Sequence, residues 1–271
     1  MGGSKSASRT ERPGSRWRGF WDFTGQVLPP FFKAASTRYY FDCERALFER
    51  YFCNLAGKKI LKTDLWDEAK NTRILNWAAE QGARVYGIDI SPEIAGQAKA
   101  MFSLPPAWCG LIVSDVRQIG FKKDSFDYLY SMGTIEHFPE QAQAVQECFR
   151  VLRKGGTAVI GVPNKFDPFL RPLSVAVLNR LGLYAYGFEK SFSFRQLEEL
   201  LANAGFKVLA RTGILFVPGW LRMADLYVYT RLPGANFLFQ PLVDFFSFLY
   251  KNFTFLHRHG YLIACVARKP T

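Results

Sequence analysis

The feature that most constrains the fold is a regular alternation of short apolar segments and longer amphipathic segments between Gly57 and Ala267. Strands are expected at residues 60–61, 84–90, 111–113, 126–131, 157–162, 206–210 and 260–267. Helices are expected between them at 71–81, 92–102, 139–152 and 193–204. Such alternation is typical of parallel βαβ units with right-handed crossovers. The sequence therefore predicts an α/β fold: a seven-stranded, mostly parallel sheet with helices on both faces.

Composition divides the chain into three regions. Residues 1–20 place basic side chains among Gly, Ser and Pro, and they are expected to form a disordered basic tail because they can bury little apolar surface. Residues 21–56 are expected to form an N-terminal helical cap, because apolar residues recur at helical spacing over 39–55. The main domain spans 57–271. It contains an aromatic-rich insertion at about 213–259, too long for an ordinary connection and expected to be helical.

The formal net charge of +12 favours an anionic partner, but the basic residues are dispersed along the chain. Nucleic acid is therefore disfavoured. Five scattered cysteines without a C-x-x-C pair, together with only three histidines, favour a cytoplasmic protein over a disulfide framework or a zinc site. The first residues lack the continuous apolar stretch of a secretion signal.

Acidic residues follow two of the predicted strands, where ligands of open α/β sheets bind. Asp89 ends one strand in VYGIDIS, and Asp115 follows the next in SDVRQIGF. With two further segments, FDYLYSMGTIEHFPE and LRKGGTAVIGVPN, they make the chain resemble the class I S-adenosylmethionine-dependent methyltransferases over roughly residues 55–267. The resemblance implies a Rossmann-like fold, S-adenosyl-L-methionine as cofactor and no metal.

The same resemblance implies which residues hold the cofactor. Asp89, with Ile90 beside it, would accept hydrogen bonds from the ribose hydroxyls, and capping of the next helix is the alternative role for this acid. Asp115 and Val116 would face adenine, unless Asp115 is only a surface turn residue. Backbone at the end of the fourth strand would hold the methionine part of the cofactor; these residues are Ser131, Met132 and Gly133.

Glu136 and His137 follow that strand and are the candidate catalytic residues. Histidine has an unperturbed pKa near neutrality, so His137 can remove a proton from an acceptor oxygen or nitrogen. The alternative is that the Glu-His pair only positions the following helix.

The loop after the first strand departs from the family pattern. The family places a glycine-rich turn here, whereas KKILKTDLWDEAKNTRIL contains no glycine. Thr63, Asp64 and Glu68 are expected to contact the cofactor instead, and the acids Asp64, Asp67 and Glu68 are expected to reach the amino group of its methionine part. The alternative is an acidic cluster that favours the helix N-terminus. The missing G-x-G-x-x-G turn also argues against a nicotinamide cofactor.

The aromatic insertion suggests a small, apolar or lipid-like methyl acceptor. Basic residues flank it and suggest peripheral membrane contact: Arg171, Arg180, Lys190, Arg222, Arg231, Lys251 and Arg258. A second core or a dimer face is the alternative use of these aromatics. Two functions follow: methyl transfer from S-adenosyl-L-methionine, or a non-catalytic scaffold of the same fold that binds a partner or a membrane.

Overall fold

A seven-stranded sheet forms the centre of the computed structural model, which describes residues 15–102, 109–232 and 234–271. Its strands, in chain order, are β1 Lys59–Lys62, β2 Arg84–Asp89, β3 Cys109–Val113, β4 Phe126–Met132, β5 Leu152–Pro163, β6 Lys207–Ile214 and β7 Leu262–Arg268. They lie in the order β3-β2-β1-β4-β5-β7-β6, and only the pairs made by β7 are antiparallel. The predicted fold class is confirmed.

Ten α-helices accompany the sheet within the described residues. They are α1 Ser15–Val27, α2 Ala35–Tyr51, α3 Trp66–Lys70, α4 Ile74–Glu80, α5 Pro92–Met101, α6 Gln141–Val151, α7 Arg171–Arg180, α8 Phe194–Asn203, α9 Gly219–Arg231 and α10 Gln240–Asn252. Apolar residues from these helices form one buried cluster on each face of the sheet. This two-sided burial explains why the inner strands read as continuous apolar runs rather than alternating ones.

The expected basic tail ends earlier than predicted. Residues 1–14 lie outside the described residues, but residues 15–20 belong to α1, so the prediction of disorder up to residue 20 was wrong there. Helix α1 packs against α5, and its Trp21 ring meets the Trp66 ring edge-to-face at 6.0 Å. Burial of aromatic surface gives this basic segment the stabilisation that its composition did not indicate.

Two other local predictions needed correction. The helix expected over 71–81 is shorter, α4 at Ile74–Glu80, because Arg73 adopts a left-handed conformation (φ 58°) directly before it, and the separate helix α3 ends at Lys70. Strand β5 begins at Leu152, directly after α6 and five residues before the expected start at residue 157. Gly155 has a φ of +72°, and here the register between β4 and β5 shifts, so the glycine permits an irregularity within the strand.

The insertion before the last strand starts at residue 215, since β6 extends to Ile214. It contains α9, α10 and two short 3₁₀ helices, Asn236–Phe239 and Thr254–His259. Within the described ranges, no helix has both the length and the apolar character needed to cross a bilayer.

Candidate cofactor and active site

A cleft opens at the carboxyl ends of the parallel strands, where the strand order reverses between β1 and β4. Reversal of this kind leaves a crevice between neighbouring loops in open α/β sheets. The cleft encloses about 1260 Å³, its open mouth included. All but two of the predicted site residues line it; those present are Thr63, Asp64, Asp89, Ile90, Asp115, Val116, Met132, Gly133, Glu136 and His137.

Asp89 lies at the end of β2 with its carboxylate held by two backbone amides. Leu65 donates to Oδ2 at 3.0 Å, and Ser91 donates to Oδ1 at 2.8 Å. Ser91 itself caps α5, since its hydroxyl accepts from the Ile94 amide at 3.0 Å. Each Asp89 oxygen keeps a second acceptor position. Burial raises the pKa of Asp89 to about 7, because desolvation disfavours the charged form.

Asp115 follows β3 and is neutralised by Arg117. The Arg117 Nη2 atom lies 2.7 Å from Asp115 Oδ2, and Nη1 lies 2.9 Å from Glu140 Oε2. Arg117 also extends its guanidinium over the Phe138 ring at 5.1 Å. Asp115 therefore faces the cleft as part of an ion-paired network. Together with Asp89 it forms what we call the β2–β3 side of the cleft.

The opposite wall of the cleft, which we call the β1–β4 side, contains no glycine in its first loop and is held together by hydrogen bonds between hydroxyl groups. Thr63 follows β1 and donates from Oγ1 to Ser131 Oγ at 2.7 Å. Its Oγ1 also lies 3.1 Å from Thr134 Oγ1, which donates to Asp64 Oδ2 at 3.3 Å. These bonds join the loop after β1 to the end of β4. The Ser131 side chain serves this connection and does not line the cleft, whereas Met132 and Gly133 do.

A buried lysine organises the acids of the same loop. Lys62, the last residue of β1, has no exposed surface, and its Nζ lies 2.8 Å from Asp64 Oδ1 and 3.2 Å from Asp67 Oδ2. The nearby carboxylates raise the Lys62 pKa against the opposing effect of burial. Glu44 and Glu68 lie in the same environment, and burial raises the pKa of both, that of Glu68 to about 7.

Glu68 does not contact the cleft, contrary to the sequence prediction. Its Oε1 accepts from the Leu75 amide at 3.2 Å, so this carboxylate supports the start of α4. The helical turn explains the difference, because Asp64 and Asp67 line the cleft, whereas Glu68, the residue after Asp67, is directed toward α4. Of the two readings of the acidic loop, Asp64 fits a ligand contact and Glu68 fits helix support.

His137 is positioned as a neutral imidazole with one basic nitrogen. Its Nδ1 lies 2.9 Å from the Phe188 carbonyl oxygen. A carbonyl can only accept, so Nδ1 carries the proton and Nε2 keeps its lone pair. Burial lowers the pKa of His137, which favours this neutral form. Glu136 is also buried, and its pKa is raised well above the ordinary value by burial and by the charge of Glu189.

Comparison with known proteins agrees with this geometry. A family profile described as a methyltransferase domain matches residues 51–160. A probable S-adenosylmethionine-dependent methyltransferase of Mycolicibacterium smegmatis is 26% identical over 68% of this chain and 66% of its own length, just under two thirds. A ubiquinone biosynthesis O-methyltransferase of Azoarcus sp. is 24% identical over 69% of this chain and 78% of its own. Residues 51–160 therefore match a methyltransferase domain, and the chain is similar to S-adenosylmethionine-dependent methyltransferases over about two thirds of its length.

The fold of the chain is also found in solved structures. An S-adenosylmethionine-dependent methyltransferase from Mesorhizobium loti superimposes with a TM-score of 0.57 over 84% of this chain and 99% of that chain, at 17% identity. The expected cofactor, S-adenosyl-L-methionine, is confirmed at the level of the family, which favours an enzyme over the scaffold.

The residues of the cleft fit this cofactor. S-adenosyl-L-methionine carries a sulfonium and an ammonium group, and acids line both sides of the cleft, Asp64 among them. Asp89 retains acceptor positions for hydroxyl donors, as a ribose requires. Two buried cavity-lining arginines, Arg117 and Arg171, are already paired with acids and therefore do not form a phosphate site.

Several residues that line the cleft of the methyltransferase were not predicted to do so. Trp17 and Trp21 reach it from α1, and their i, i+4 spacing is the signal that could have indicated a helix face there. Arg171 and Arg222 were expected among surface basic residues, but both are buried. In α9 the spacing of Leu221, Arg222, Asp225 and Leu226 places the arginine on the buried face.

Proposed function

We propose that this methyltransferase methylates a hydroxyl group of a lipid-like acceptor that it takes from an anionic membrane surface. The observation that carries the proposal is a set of exposed apolar stripes on the helices beside the cleft. The Azoarcus relative is named for ubiquinone biosynthesis and for an oxygen acceptor, which supports the same acceptor class.

Helix α7 carries the first stripe. Leu170, Leu173, Val177 and Leu181 recur at helical spacing, and each is at least half exposed. Monomeric proteins rarely expose contiguous apolar surface of this kind without a partner. The aromatic segment that follows, with Tyr184 and Tyr186, lines the cleft, so the stripe lies next in sequence to the ligand site.

Helix α9 packs against α7 and carries the second stripe. Trp220 and Tyr227 are both about two-thirds exposed (64% and 65%), and Met223 lies between them at the i+3 position. Met223 also lines the cleft. This residue therefore joins the exposed stripe to the cleft interior, which gives an apolar acceptor a continuous apolar route.

The insertion continues the apolar surface at α10. Leu242, Phe245 and Phe248 are all at least half exposed. Arg180 and Arg231, at the ends of α7 and α9, are exposed beside these stripes. Each basic residue close to an anionic bilayer contributes about 1 kcal/mol. Apolar stripes flanked by cations suit an anionic lipid surface. They suit a second copy of this chain less well, because the positive charges of the two copies would repel each other.

His137 is the proposed base. When bound, S-adenosyl-L-methionine supplies an electrophilic methyl group, and attack by the acceptor oxygen forms an O–C bond while the S–C bond breaks. The acceptor proton leaves to His137 Nε2, which the Phe188 contact keeps unprotonated. The remaining acceleration comes from alignment of the two ligands within the cleft.

The test of membrane binding is cosedimentation with phosphatidylcholine vesicles, with and without phosphatidylserine. Wild type is expected to sediment with the anionic vesicles and the double variant Trp220→Ser/Tyr227→Ser to remain in solution. Leu209→Ser is the matched control, since Leu209 is an exposed apolar residue on β6, outside the stripes. Vesicle-independent dimerisation that the double variant abolishes would instead assign the stripes to a dimer face.

The chemistry is tested by methylation of a prenylated hydroquinone, followed as formation of S-adenosylhomocysteine. His137→Gln is expected to lower kcat by about a hundredfold or more, as for loss of a general base. Unchanged kcat in this variant would remove His137 from the reaction. Binding of S-adenosylhomocysteine without turnover of any hydroxyl acceptor would contradict the proposed acceptor class.

A further inference from the structure

Three arginines line the cleft, and they differ in how they are neutralised. Arg117 is paired with Asp115 and Glu140. Arg171 forms a two-point ion pair with Glu189, whose Oε2 lies 2.8 Å from Nη2. Within the part of the chain that the structure describes, no carboxylate oxygen lies within 4.0 Å of the third guanidinium, that of Arg222.

The surroundings of Arg222 do not replace a counter-ion. The side chain is only 7% exposed and its Cζ lies 5.3 Å from the centre of the Tyr40 ring. Nη1 makes one long hydrogen bond, 3.4 Å, to Ser36 Oγ. Asp225 lies one turn along α9, but its Oδ2 accepts from the Ser36 amide at 2.7 Å and is thereby held at the start of α2.

Burial of a guanidinium without a carboxylate is unfavourable, unless a ligand completes the pairing. The planar fork of arginine matches a carboxylate in two-point geometry. We infer that Arg222 binds a carboxylate group of a ligand in the cleft. The inference deepens the proposed function and rests on it, since it assigns part of the ligand site to the insertion.

Two ligands of that reaction can supply the carboxylate: the methionine part of the cofactor, or an acidic acceptor. The position of Arg222 favours the cofactor. Arg222 contacts the Tyr40 ring, and the Tyr40 hydroxyl donates to Asp67 Oδ2 at 3.3 Å, next to Lys62 and Asp64 on the β1–β4 side. Lys62 is enclosed by its own acids, so of the described arginines and lysines that line the cleft, Arg222 is the one without a carboxylate partner.

The experiment compares two nucleosides by calorimetric titration. S-adenosylhomocysteine carries the amino-acid carboxylate, and 5′-methylthioadenosine lacks it. Both are titrated into wild type, Arg222→Met and Arg222→Lys, with Arg195→Met as control because Arg195 is exposed on α8 and paired with Glu199. A third titration adds 4-hydroxybenzoate to each protein saturated with S-adenosylhomocysteine, as the probe for an acidic acceptor.

Arg222→Met is expected to weaken S-adenosylhomocysteine about tenfold to a hundredfold, the loss of a charged hydrogen bond. Affinity for 5′-methylthioadenosine should stay unchanged, and Arg222→Lys should recover part of the loss. A loss confined to 4-hydroxybenzoate would also support the inference and assign the carboxylate to the acceptor.

Unchanged affinity for all three probes, in an Arg222→Met protein that melts at the wild-type temperature, would overturn the inference. Failure of wild type to bind S-adenosylhomocysteine would overturn the proposed function instead. In that case the benzoate titration, repeated without nucleoside, still decides whether Arg222 binds a carboxylate.

Discussion

The two sides of the cleft are stabilised by different interactions. On the β2–β3 side, Asp89 and Asp115 stand at strand ends and are held by neighbouring backbone amides or by Arg117. On the β1–β4 side, the wall depends on a buried lysine, several acids and a chain of hydroxyl groups. The second side therefore depends on more buried charges, among them Lys62 and Asp67, than the first.

The comparison shows how side-chain contacts can hold the loop after β1 in position although it contains no glycine. Glycines allow a turn to approach a ligand through backbone freedom. Here Lys62 draws Asp64 and Asp67 toward β1, while Thr63 binds the end of β4. The loop conformation is specified by side-chain pairing, so substitutions on this side should affect stability and substitutions on the other side should affect binding.

The largest expected effect is that of Lys62→Met. Removal of the lysine leaves Asp64 and Asp67 buried without their counter-charge, so the free energy of unfolding should fall by about 3–5 kcal/mol. The loss should grow as the pH rises, because burial raises the pKa of Asp64 and its ionised form would lack the lysine. Urea unfolding measures it, with Lys59→Met as control at the exposed end of the same strand. Equal effects of the two substitutions would contradict the role of Lys62.

Asp89→Asn should show the opposite behaviour. It removes the charge that strengthens bonds from ribose hydroxyls, each charged hydrogen bond contributing about 1.5–3 kcal/mol. Affinity for S-adenosylhomocysteine should fall about tenfold to a hundredfold. The urea midpoint should fall less than in Lys62→Met, since Asn keeps one of the two acceptors for the Leu65 and Ser91 amides. Calorimetry at fixed pH measures the loss. A variant that unfolds more readily but binds normally would reverse the comparison between the two sides.

The pH dependence of binding gives a smaller effect on the same residue. Burial holds the pKa of Asp89 near 7, and the ribose hydroxyls bind its ionised form better. Affinity for S-adenosylhomocysteine should therefore increase as the pH rises through about 7, by up to about tenfold per unit below the pKa. In Asp89→Asn, the affinity for S-adenosylhomocysteine should no longer increase as the pH rises through about 7. A flat profile in wild type would contradict the raised pKa.

Thr63→Val should have the smallest effect. It deletes the hydroxyl that joins the loop to Ser131 while preserving side-chain shape, at a cost of about 1 kcal/mol. The thermal midpoint should fall slightly and cofactor affinity should weaken by a few fold. Ser131→Ala removes the other partner of the same bond, so the double variant should lose less than the sum of the two single losses.

Much of the β2–β3 side could be predicted from the sequence, because the positions of Asp89 and Asp115 follow from where β2 and β3 end. The β1–β4 side could be predicted only in part. The missing glycines were evident, but whether Glu68 faces the ligand or α4 depends on how the chain turns after Arg73. Arg222 was placed on the surface because its burial depends on how α9 packs against α2, a contact between segments distant in sequence.

The aromatic residues of the cleft also give the protein optical reporters of its own. Three of the six tryptophans, Trp17, Trp21 and Trp66, line the cleft, and the Trp21 ring lies 4.9 Å from that of His137. Trp220 instead stands on the exposed stripe of α9. Quenching of the first group by an adenine ring and a blue shift of the second in lipid are separable spectral changes, so one emission spectrum can follow ligand and membrane binding together.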